Sequence, residues 1–402
     1  MIEKRIVVIG GGAAGFFTAI NLAEKLPHAT ISILEKTTKV LSKVRVSGGG
    51  RCNVTHACFE PKELSTNYPR GEKELLGPFH QFATGDVISW FSDRGVELKI
   101  EEDGRMFPIT DSSQTIIDCF EQEVKQKEIE IKFSTEVVKI EKSDEFILSI
   151  KNGGILKADV VVVAIGGNPK LKHYNFLKEI GHELIDPIPS LFTFNLPKHP
   201  SNKLMGLSYS VSVRLKDTLF EEFGPLLFTH WGMSGPAVLK LSAKAAKWLF
   251  DKNYQFQFDV SWMEDAESFI QNNRTNFPSN KVQNRKPEEM PNRLWSYLLD
   301  RASLNESLNW ADLNKSQMQQ LTQVLEADVY QANGKTTFKE EFVTCGGVTL
   351  KDINMKTMES KKVPGLYFSG EVMNVDAVTG GFNFQAAWTS GFLVSEGVAN
   401  SF

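Results

Sequence analysis

The sequence predicts an α/β protein in which a parallel sheet, built from both ends of the chain, is interrupted by a mainly β insert. Residues 6–9 and 160–165 are unbroken apolar runs, which are typical of parallel strands buried on both faces. A glycine turn and a helix with apolar residues at helical spacing follow the first run directly. Segments such as 208–215 alternate in polarity, which is typical of antiparallel strands.

The turn after the first strand carries the most specific motif. Gly10, Gly12 and Gly15 have the spacing G-x-G-x-x-G. The first glycine permits a tight turn, the second lets the backbone approach a pyrophosphate, and the third lets the helix pack close to the sheet. The amino end of that helix carries unpaired N–H groups and the positive end of the helix dipole, which favour a diphosphate.

A second strand, 30–34, ends at Glu35, which lies 20 residues past Gly15. A carboxylate at this point binds the ribose of an adenosine in dinucleotide-binding folds. Strand, glycines, helix, strand and acid together predict a Rossmann-like dinucleotide site. The alternative is a glycine-rich turn in an ordinary βαβ unit.

The composition is that of a globular protein, with 41% hydrophobic and 23% charged residues. The net charge of −4 gives no reason to expect nucleic acid or a membrane as a partner. The chain enters its first strand without a signal peptide, and it contains no apolar run long enough to span a bilayer. Four cysteines in a chain of this length do not predict a disulfide framework, so a cytoplasmic location is expected. The oligomeric state has no signal in the sequence.

A second glycine-rich segment, 47–53, follows the dinucleotide motif. Its three consecutive glycines favour a loop whose backbone can touch a ligand, and Lys43, Arg45 and Arg51 add positive charge beside it. The segment is therefore predicted to form a second wall of the site. A flexible loop with solvated cations is the alternative.

The chain is predicted to return to the first sheet twice. Segment 158–167 is a buried strand that ends in glycine, and 363–371 is a short strand that ends at an acid. The glycine turn at 379–381 then opens an alanine-rich helix. Its amino end is a second place suited to a negative or hydrogen-bonding ligand edge.

These returns define the predicted domains. The nucleotide domain comprises 1–189 and 342–402, and the inserted β domain comprises 190–262 and 328–341. Residues 263–327 are polar and helical in period, and they form a helical sub-insert.

Four motifs in this order resemble a known family. They are the first glycine unit, Gly-Gly-Gly-Arg-Cys-Asn at 48–53, Phe-Thr-His-Trp-Gly-Met-Ser-Gly-Pro at 228–236, and Gly370-Glu371 with Thr-Gly-Gly-Phe-Asn at 379–383. The sequence is similar over nearly its whole length to the bacterial BaiN/YhiN-type flavoproteins, NAD(P)/FAD-dependent oxidoreductases that are also described as aminoacetone oxidase-like. The resemblance implies a three-layer, Rossmann-like FAD-binding domain with an inserted β-barrel-like domain that carries a helical insert.

The resemblance also implies how FAD is bound. The diphosphate would lie on Gly10 to Gly15, the ribose on Glu35, and the adenine against the backbone of Val137. Amides at the start of the last helix would point at the flavin O2 edge and stabilise the anionic reduced ring. The cofactor-binding residues implied are Gly10, Gly12, Ala13, Ala14, Gly15, Glu35, Lys36, Lys43, Ser47, Gly48, Gly49, Arg51, Cys52, Asn53, Val137, Ala164, Gly166, Gly370, Glu371, Gly380, Gly381, Phe382 and Asn383.

Two positions depart from the family pattern. Members usually have an acid where Asn374 stands and often have alanine where Cys345 stands. If the acid at the first position shapes the substrate side in the family, this chain is expected to differ in substrate specificity, and FAD binding is still expected.

Two side chains are candidates for chemistry. His230 is one, because histidine titrates near neutrality and can carry a proton, with a packed structural histidine as the alternative. Cys52 is the other. Five residues separate it from Cys58, where FAD-containing disulfide reductases have four, so two ordinary reduced cysteines are favoured over a dithiol centre. No His/Cys cluster has the spacing of a metal site.

The favoured function is an FAD-dependent oxidoreductase that transfers hydride between flavin N5 and a small molecule in a cleft between the nucleotide domain and the insert. NAD(P)H is expected as a transient reductant, because the sequence has no second dinucleotide motif. An FAD-dependent RNA-modifying protein and a non-catalytic flavin-binding regulator are the alternatives.

Overall fold

The chain forms two compact units, described here from a computed structural model that covers residues 4–305, 307–336 and 343–401. The first unit comprises Met1–Ser190 and Phe338–Phe402, and the second comprises Leu191–Thr337. The predicted domain boundary at 341–342 lies outside the described residues.

The strands in chain order are β1 (Arg5–Ile9), β2 (Thr30–Leu34), β3 (Thr55–His56), β4 (Leu98–Ile100), β5 (Arg105–Pro108), β6 (Glu130–Lys132), β7 (Val137–Lys142), β8 (Phe146–Ile150), β9 (Ile155–Ala158), β10 (Val160–Val163), β11 (Leu184–Ser190), β12 (Thr193–Asn195), β13 (Ser208–Leu215), β14 (Glu221–Phe228), β15 (Gly232–Ser234), β16 (Gln255–Ser261), β17 (Asp328–Asn333), β18 (Lys335–Thr336), β19 (Val343–Val348), β20 (Ile353–Asn354), β21 (Glu359–Ser360) and β22 (Leu366–Phe368).

The α-helices are α1 (Ala13–Lys25), α2 (Ser42–Gly50), α3 (Pro61–Ser65), α4 (Glu72–Phe79), α5 (Thr84–Ser92), α6 (Ser113–Gln126), α7 (Asn175–Glu179), α8 (Pro236–Lys244), α9 (Ala246–Asp251), α10 (Ala266–Asn276), α11 (Asn292–Arg301), α12 (Lys315–Ala327) and α13 (Phe382–Ala399).

The central sheet of the first unit has the strand order β20-β21-β22-β10-β1-β2-β6. Strands β22, β10, β1, β2 and β6 are parallel, so their carboxyl ends lie along one edge. Ile6 pairs with Val160 on one side and with Ile31 on the other, and these strands are buried because both neighbours and covering helices exclude water. The predicted α/β class and both predicted returns of the chain are confirmed.

Helices α1 and α13 pack side by side and run in the same direction. A Cβ at Gly370 would lie 2.8 Å from the Cβ of Ala14 and 3.8 Å from that of Ala387. Further along, Lys25 Nζ donates to Glu396 Oε1 at 2.5 Å. Because α1 follows β1 and α13 follows β22, both amino ends lie at the carboxyl edge of the parallel sheet.

The second unit is built on an antiparallel sheet with the order β17-β16-β13-β14-β15-β12-β18. The two edge strands are consecutive in sequence and are joined by Gly334 alone. Gly334 N–H donates to Tyr254 O at 2.7 Å, while Gly334 O accepts from Asn195 N–H at 3.1 Å. The two edges of the sheet therefore meet at this residue.

The helices of the predicted sub-insert share one core with this sheet. Trp262, at the end of β16, Trp295 in α11 and Trp310 are all fully or almost fully buried in the same cluster as Phe228 and Phe258. Trp262 also donates from its indole nitrogen to the Asp328 carboxylate at 3.4 Å. Residues 263–327 are thus a packed layer of the second unit.

Candidate functional site

The turn between β1 and α1 is shaped by close contacts that require glycine. A Cβ at Gly15 would collide with the Gly10 carbonyl oxygen, and one at Gly10 would collide with the carbonyl oxygen of Ala164 at the end of β10. At Gly12, by contrast, a Cβ would meet no described atom within 4 Å. The Cβ side of Gly12, at the amino end of α1, is therefore open at the point where a pyrophosphate is predicted.

Glu35 is held beside this turn at the end of β2. Its carboxylate accepts from the N–H groups of Gly11 at 3.0 Å and Thr37 at 2.8 Å. Thr135 N–H donates to the Glu35 carbonyl oxygen at 2.8 Å, which places the start of β7 and Val137 next to the strand end. The arrangement fits a ribose on Glu35 and an adenine near Val137. Lys36 follows as an exposed side chain.

The predicted glycine loop is in part helical. Helix α2 runs through Gly50, but Ser47, Gly48 and Gly49 have non-helical backbone angles, so the helix is broken there. Arg51 does not face Gly12: its guanidinium pairs with Glu101 at 2.5 Å and lies 4.0 Å from the ring centroid of Phe107. This cation therefore has protein partners of its own.

Lys43 makes a different kind of contact. Its ammonium donates to Glu371 Oε2 at 2.7 Å, and Glu371 Oε1 accepts from Thr344 N–H at 2.7 Å. A Cβ at Gly167 would lie 2.5 Å from Glu371 Oε1 and 2.6 Å from Thr344 Oγ1. The Lys43–Glu371 pair thus bridges the start of α2 and the end of β22.

The Thr344 hydroxyl is buried and has no hydrogen-bond partner among the described residues. A buried hydroxyl without a partner is costly, so a ligand oxygen is the simplest group to satisfy it. Together with the open space at Gly12, this orphaned group shows that the carboxyl edge fits an extended polar ligand such as FAD. No sequence pattern indicates this role for Thr344.

The start of α13 packs on the segment that follows the glycine loop. With its amide oriented to satisfy both ends, Asn53 accepts from Gly381 N–H and donates to Thr55 O, each at 3.0 Å. Thr55 Oγ1 donates to Gln385 at 2.6 Å, and Trp388 Nε1 donates to Val54 O at 2.9 Å. The structure therefore brings the two predicted glycine segments together.

These contacts bear on the predicted flavin site. Asn53 binds the Gly381 N–H, and the amides that follow without an acceptor inside the helix are those of Phe382, Asn383 and Phe384. The Asn383 side chain is also used within the protein: it accepts from Ala377 N–H at 3.0 Å and donates to Ala377 O at 3.2 Å.

A buried ion pair fixes the loop before α13. Arg70 Nε donates to Asp376 Oδ1 at 2.6 Å, and Ser190 Oγ donates to Oδ2 at 2.8 Å. Burial raises the pKa of Asp376, and the donors Arg70 and Ser190 oppose that rise. Tyr68, two residues before the arginine, donates from its hydroxyl to Phe382 O at 2.6 Å. The sequence offered no signal for these residues, because the partners are about 300 positions apart.

Cys52 occupies a strained position in the site. Its φ is +61°, which side chains rarely adopt, and its side chain is fully buried. Burial raises the pKa of its thiol to about 12, and Ser47 opposes the rise through a hydrogen bond. The side chain is a thiol at neutral pH, so the geometry does not favour a thiolate nucleophile. Cys58 is half-buried, and no disulfide joins any two of the four cysteines, all of which lie among the described residues.

His230 belongs to the second unit. It lies exposed in the turn between β14 and β15, and its ring centroid is 6.0 Å from that of Trp231, which is 51% exposed. Thr229 Oγ1 fixes the turn by accepting from Gly232 N–H at 3.2 Å. The histidine is therefore a surface group on a fixed turn rather than a packed core residue.

The described residues contain no His/Cys/Asp/Glu group arranged to hold a metal ion. Within the same residues, none of the helices combines the length and apolar character needed to cross a bilayer.

The family model for the HI0933-like protein Rossmann domain matches residues 4–397. The chain is 31% identical over 400 residues to the ribosomal RNA dihydrouridine synthase of Escherichia coli K12, covering 97% of this chain and 96% of that protein. It is 25% identical over 410 residues to a 3-dehydro-bile acid delta(4,6)-reductase of Clostridium scindens, covering 98% and 99%.

Among solved structures, the 3-ketosteroid-delta4-(5alpha)-dehydrogenase of Rhodococcus jostii RHA1 aligns with a TM-score of 0.52 at 12% identity, covering 98% of this chain and 97% of that one. At this identity the likeness shows the shared fold alone. The family match, which spans nearly all of the chain, confirms the resemblance seen in the sequence motifs. The chain therefore belongs to the HI0933-like family of FAD-binding oxidoreductases.

Proposed function

We propose that this protein is an FAD-dependent reductase that adds hydrogen across a carbon–carbon double bond conjugated to a carbonyl group, with NADH or NADPH as the reductant. The main support is the convergence of two helix amino ends, after Gly12 and after Gly381, at one edge of the parallel sheet. One end suits the phosphates of an extended cofactor, and the other suits a polar ring edge.

Different residues of the site would bind different parts of the cofactor. The amides after Gly12 would bind the diphosphate and Glu35 the ribose, while Lys43 and Thr344 would contact polar groups between the two helix ends. The free amides of Phe382 and Asn383 would stabilise negative charge that develops on the ring. Bound FAD supplies the hydride chemistry.

The type of bond is proposed from the relatives. Both names describe the addition of hydrogen across a ring double bond, in a 3-dehydro-bile acid and in the uridine of ribosomal RNA. In such a reaction NAD(P)H is oxidised to NAD(P)⁺, the acceptor gains a hydride at one carbon, and a proton adds at the other. In both acceptors the double bond is conjugated to a carbonyl, which takes up the charge of the added hydride.

A uridine base in RNA is the favoured acceptor over a free small molecule, because the RNA-modifying relative is the more similar by sequence identity, 31% against 25%. The net charge of −4 predicts that phosphate contacts are few and that the salt dependence of binding is shallow.

The experiment uses the purified chain loaded with FAD under anaerobic conditions. NADH or NADPH is expected to bleach the visible flavin band, and an acceptor is expected to restore it. Ribosomal RNA lacking the modification and a panel of unsaturated cyclic ketones are compared, with products identified by the gain of two hydrogens in mass. Bleaching followed by no reoxidation with either class would contradict the proposed reaction, and reoxidation by ketones alone would contradict the RNA acceptor.

A further inference from the structure

The turn that opens α13 has unusual backbone freedom. Gly380 has a φ of +134° and Gly381 a φ of +95°. Glycines in such conformations are not held by their own side chains, so their orientation depends on neighbouring groups. This matters because the amides of Phe382 and Asn383, which follow directly, are useful to a ligand only if they are fixed in advance.

The side chain of His56 contacts this turn directly. Its Nδ1 lies 3.0 Å from Gly380 O. A carbonyl oxygen can only accept, so Nδ1 carries the proton and donates. The imidazole also stacks on the ring of Phe382, with centroids 4.5 Å apart and planes 28° apart. His56 therefore contacts both Gly380 in the turn and Phe382, the first residue of α13.

The imidazole of His56 lies between two glycines, Gly104 and Gly380. A Cβ at Gly104, in the β4–β5 hairpin, would lie 2.6 Å from His56 Nε2. A Cβ at Gly380 would lie 3.3 Å from Nδ1 on the opposite side. Larger residues at these two positions would displace the ring. Gly104 also has a φ of +82°, so the hairpin backbone favours glycine there for its own reasons.

Residues 53–56, which end with His56 at the end of β3, all contact α13 or the turn before it. Asn53 binds Gly381 N–H, Val54 O accepts from Trp388, and Thr55 binds Gln385, so each preceding residue already contacts α13. Among residues 53–56, His56 is the one whose hydrogen bond goes to the Gly380 carbonyl. The peptide that follows this carbonyl orients the amino end of α13.

We propose that His56 is a positioning residue for the flavin: it locks the Gly380–Gly381 turn and so preorganises the amide end of α13 that stabilises the reduced ring. This inference rests on the proposed function, since it requires FAD with its ring at this helix end. The residue acts through the turn and need not touch the cofactor.

The test is the two-electron midpoint potential of the FAD-loaded protein. His56→Ala is expected to weaken the equilibrium for flavin reduction about tenfold, which is a fall of about 30 mV. His56→Asn keeps an N–H donor near the position of Nδ1 and is expected to recover most of this loss. His28→Ala is the matched control, because His28 is exposed in the α1–β2 turn at the opposite end of the sheet.

Thermal unfolding of the same variants without FAD separates positioning from stability. Should His56→Ala fold poorly, Gly104→Ala displaces the ring without deleting it and is expected to lower the potential by a smaller amount. An unchanged potential in FAD-loaded His56→Ala, or in Gly104→Ala if the first variant is lost, would overturn this inference alone. Wild-type protein that binds no FAD would overturn the proposed function as well.

Discussion

The two helix ends that meet at the sheet edge are built in opposite ways. The end of α1 is open: apart from the chain neighbours of Gly12, no described atom lies within 4 Å of a Cβ at that residue. The end of α13 is surrounded by protein contacts, from Asn53 and His56 on one side and from Tyr68 on the other.

The difference follows from what each end would bind. A diphosphate carries full charge and needs close approach by backbone amides, so empty space and glycine are sufficient. A flavin ring edge gains charge only on reduction, so the donors that stabilise it must be held in place before the electrons arrive. The open end of α1 therefore suits a ligand group with permanent charge, and the supported end of α13 suits one that becomes charged only on reduction.

The largest expected effect comes from the ion pair behind the α13 end. Asp376→Ala leaves the buried Arg70 guanidinium without its carboxylate and is expected to cost about 3–5 kcal/mol of unfolding free energy. The matched control is Glu141→Gln, which breaks the exposed pair with Lys139 and should cost far less, because solvent screens an exposed pair. Chemical denaturation measures both, and similar losses for the two variants would show that the supported end has no special stability.

At the open end, a side chain should block the ligand without harming the fold. Gly12→Glu fills the empty space with a like charge, and we expect the Kd for FAD to rise at least about 100-fold, or about 2.8 kcal/mol. Gly85→Glu, on the exposed face of α5, serves as the control. Fluorescence titration gives the Kd. Unchanged affinity in the first variant would mean that the diphosphate lies elsewhere.

A smaller effect is expected where one hydrogen bond is removed from the supported end. Tyr68→Phe deletes the donor to Phe382 O, and we expect a loss of about 1 kcal/mol in unfolding free energy because one buried hydrogen bond is lost while the carbonyl keeps its helical partner. Tyr209→Phe, at a half-buried tyrosine of the second unit, should change it by less than about 0.5 kcal/mol. Equal effects would contradict the role assigned to the Tyr68 hydroxyl.

The smallest effect concerns thiol reactivity between the two ends. A pKa of about 12 leaves about one part in 10⁴ of Cys52 as thiolate at pH 8, and the fraction rises tenfold for each pH unit up to that value. Iodoacetamide should therefore modify the half-buried Cys58 first and spare Cys52 until the protein is unfolded. Peptide mass spectrometry distinguishes the sites. Equal labelling rates in the folded protein would show that the Cys52 thiol is accessible.

Much of the first unit could be predicted from its sequence. The strands at β1, β2 and β10, the helix after Gly12 and the helix after Gly381 each have a local signature of apolar runs and glycines. The glycine loop was harder, because α2 continues into it before breaking at Ser47. No local pattern reveals that Asn53 reaches the Gly381 N–H across the fold.

The sequence by itself determined the cofactor-binding half of this protein, because a strand, a glycine turn and a helix are coded by neighbouring residues whose periodicity and backbone freedom can be recognised directly. Only the tertiary structure decided how the flavin end is supported. The Arg70–Asp376 pair joins residues 306 positions apart, and the His56–Gly380 contact joins residues 324 positions apart. Such contacts form only when separate elements pack together. The sequence around each partner therefore does not distinguish it from any other polar residue.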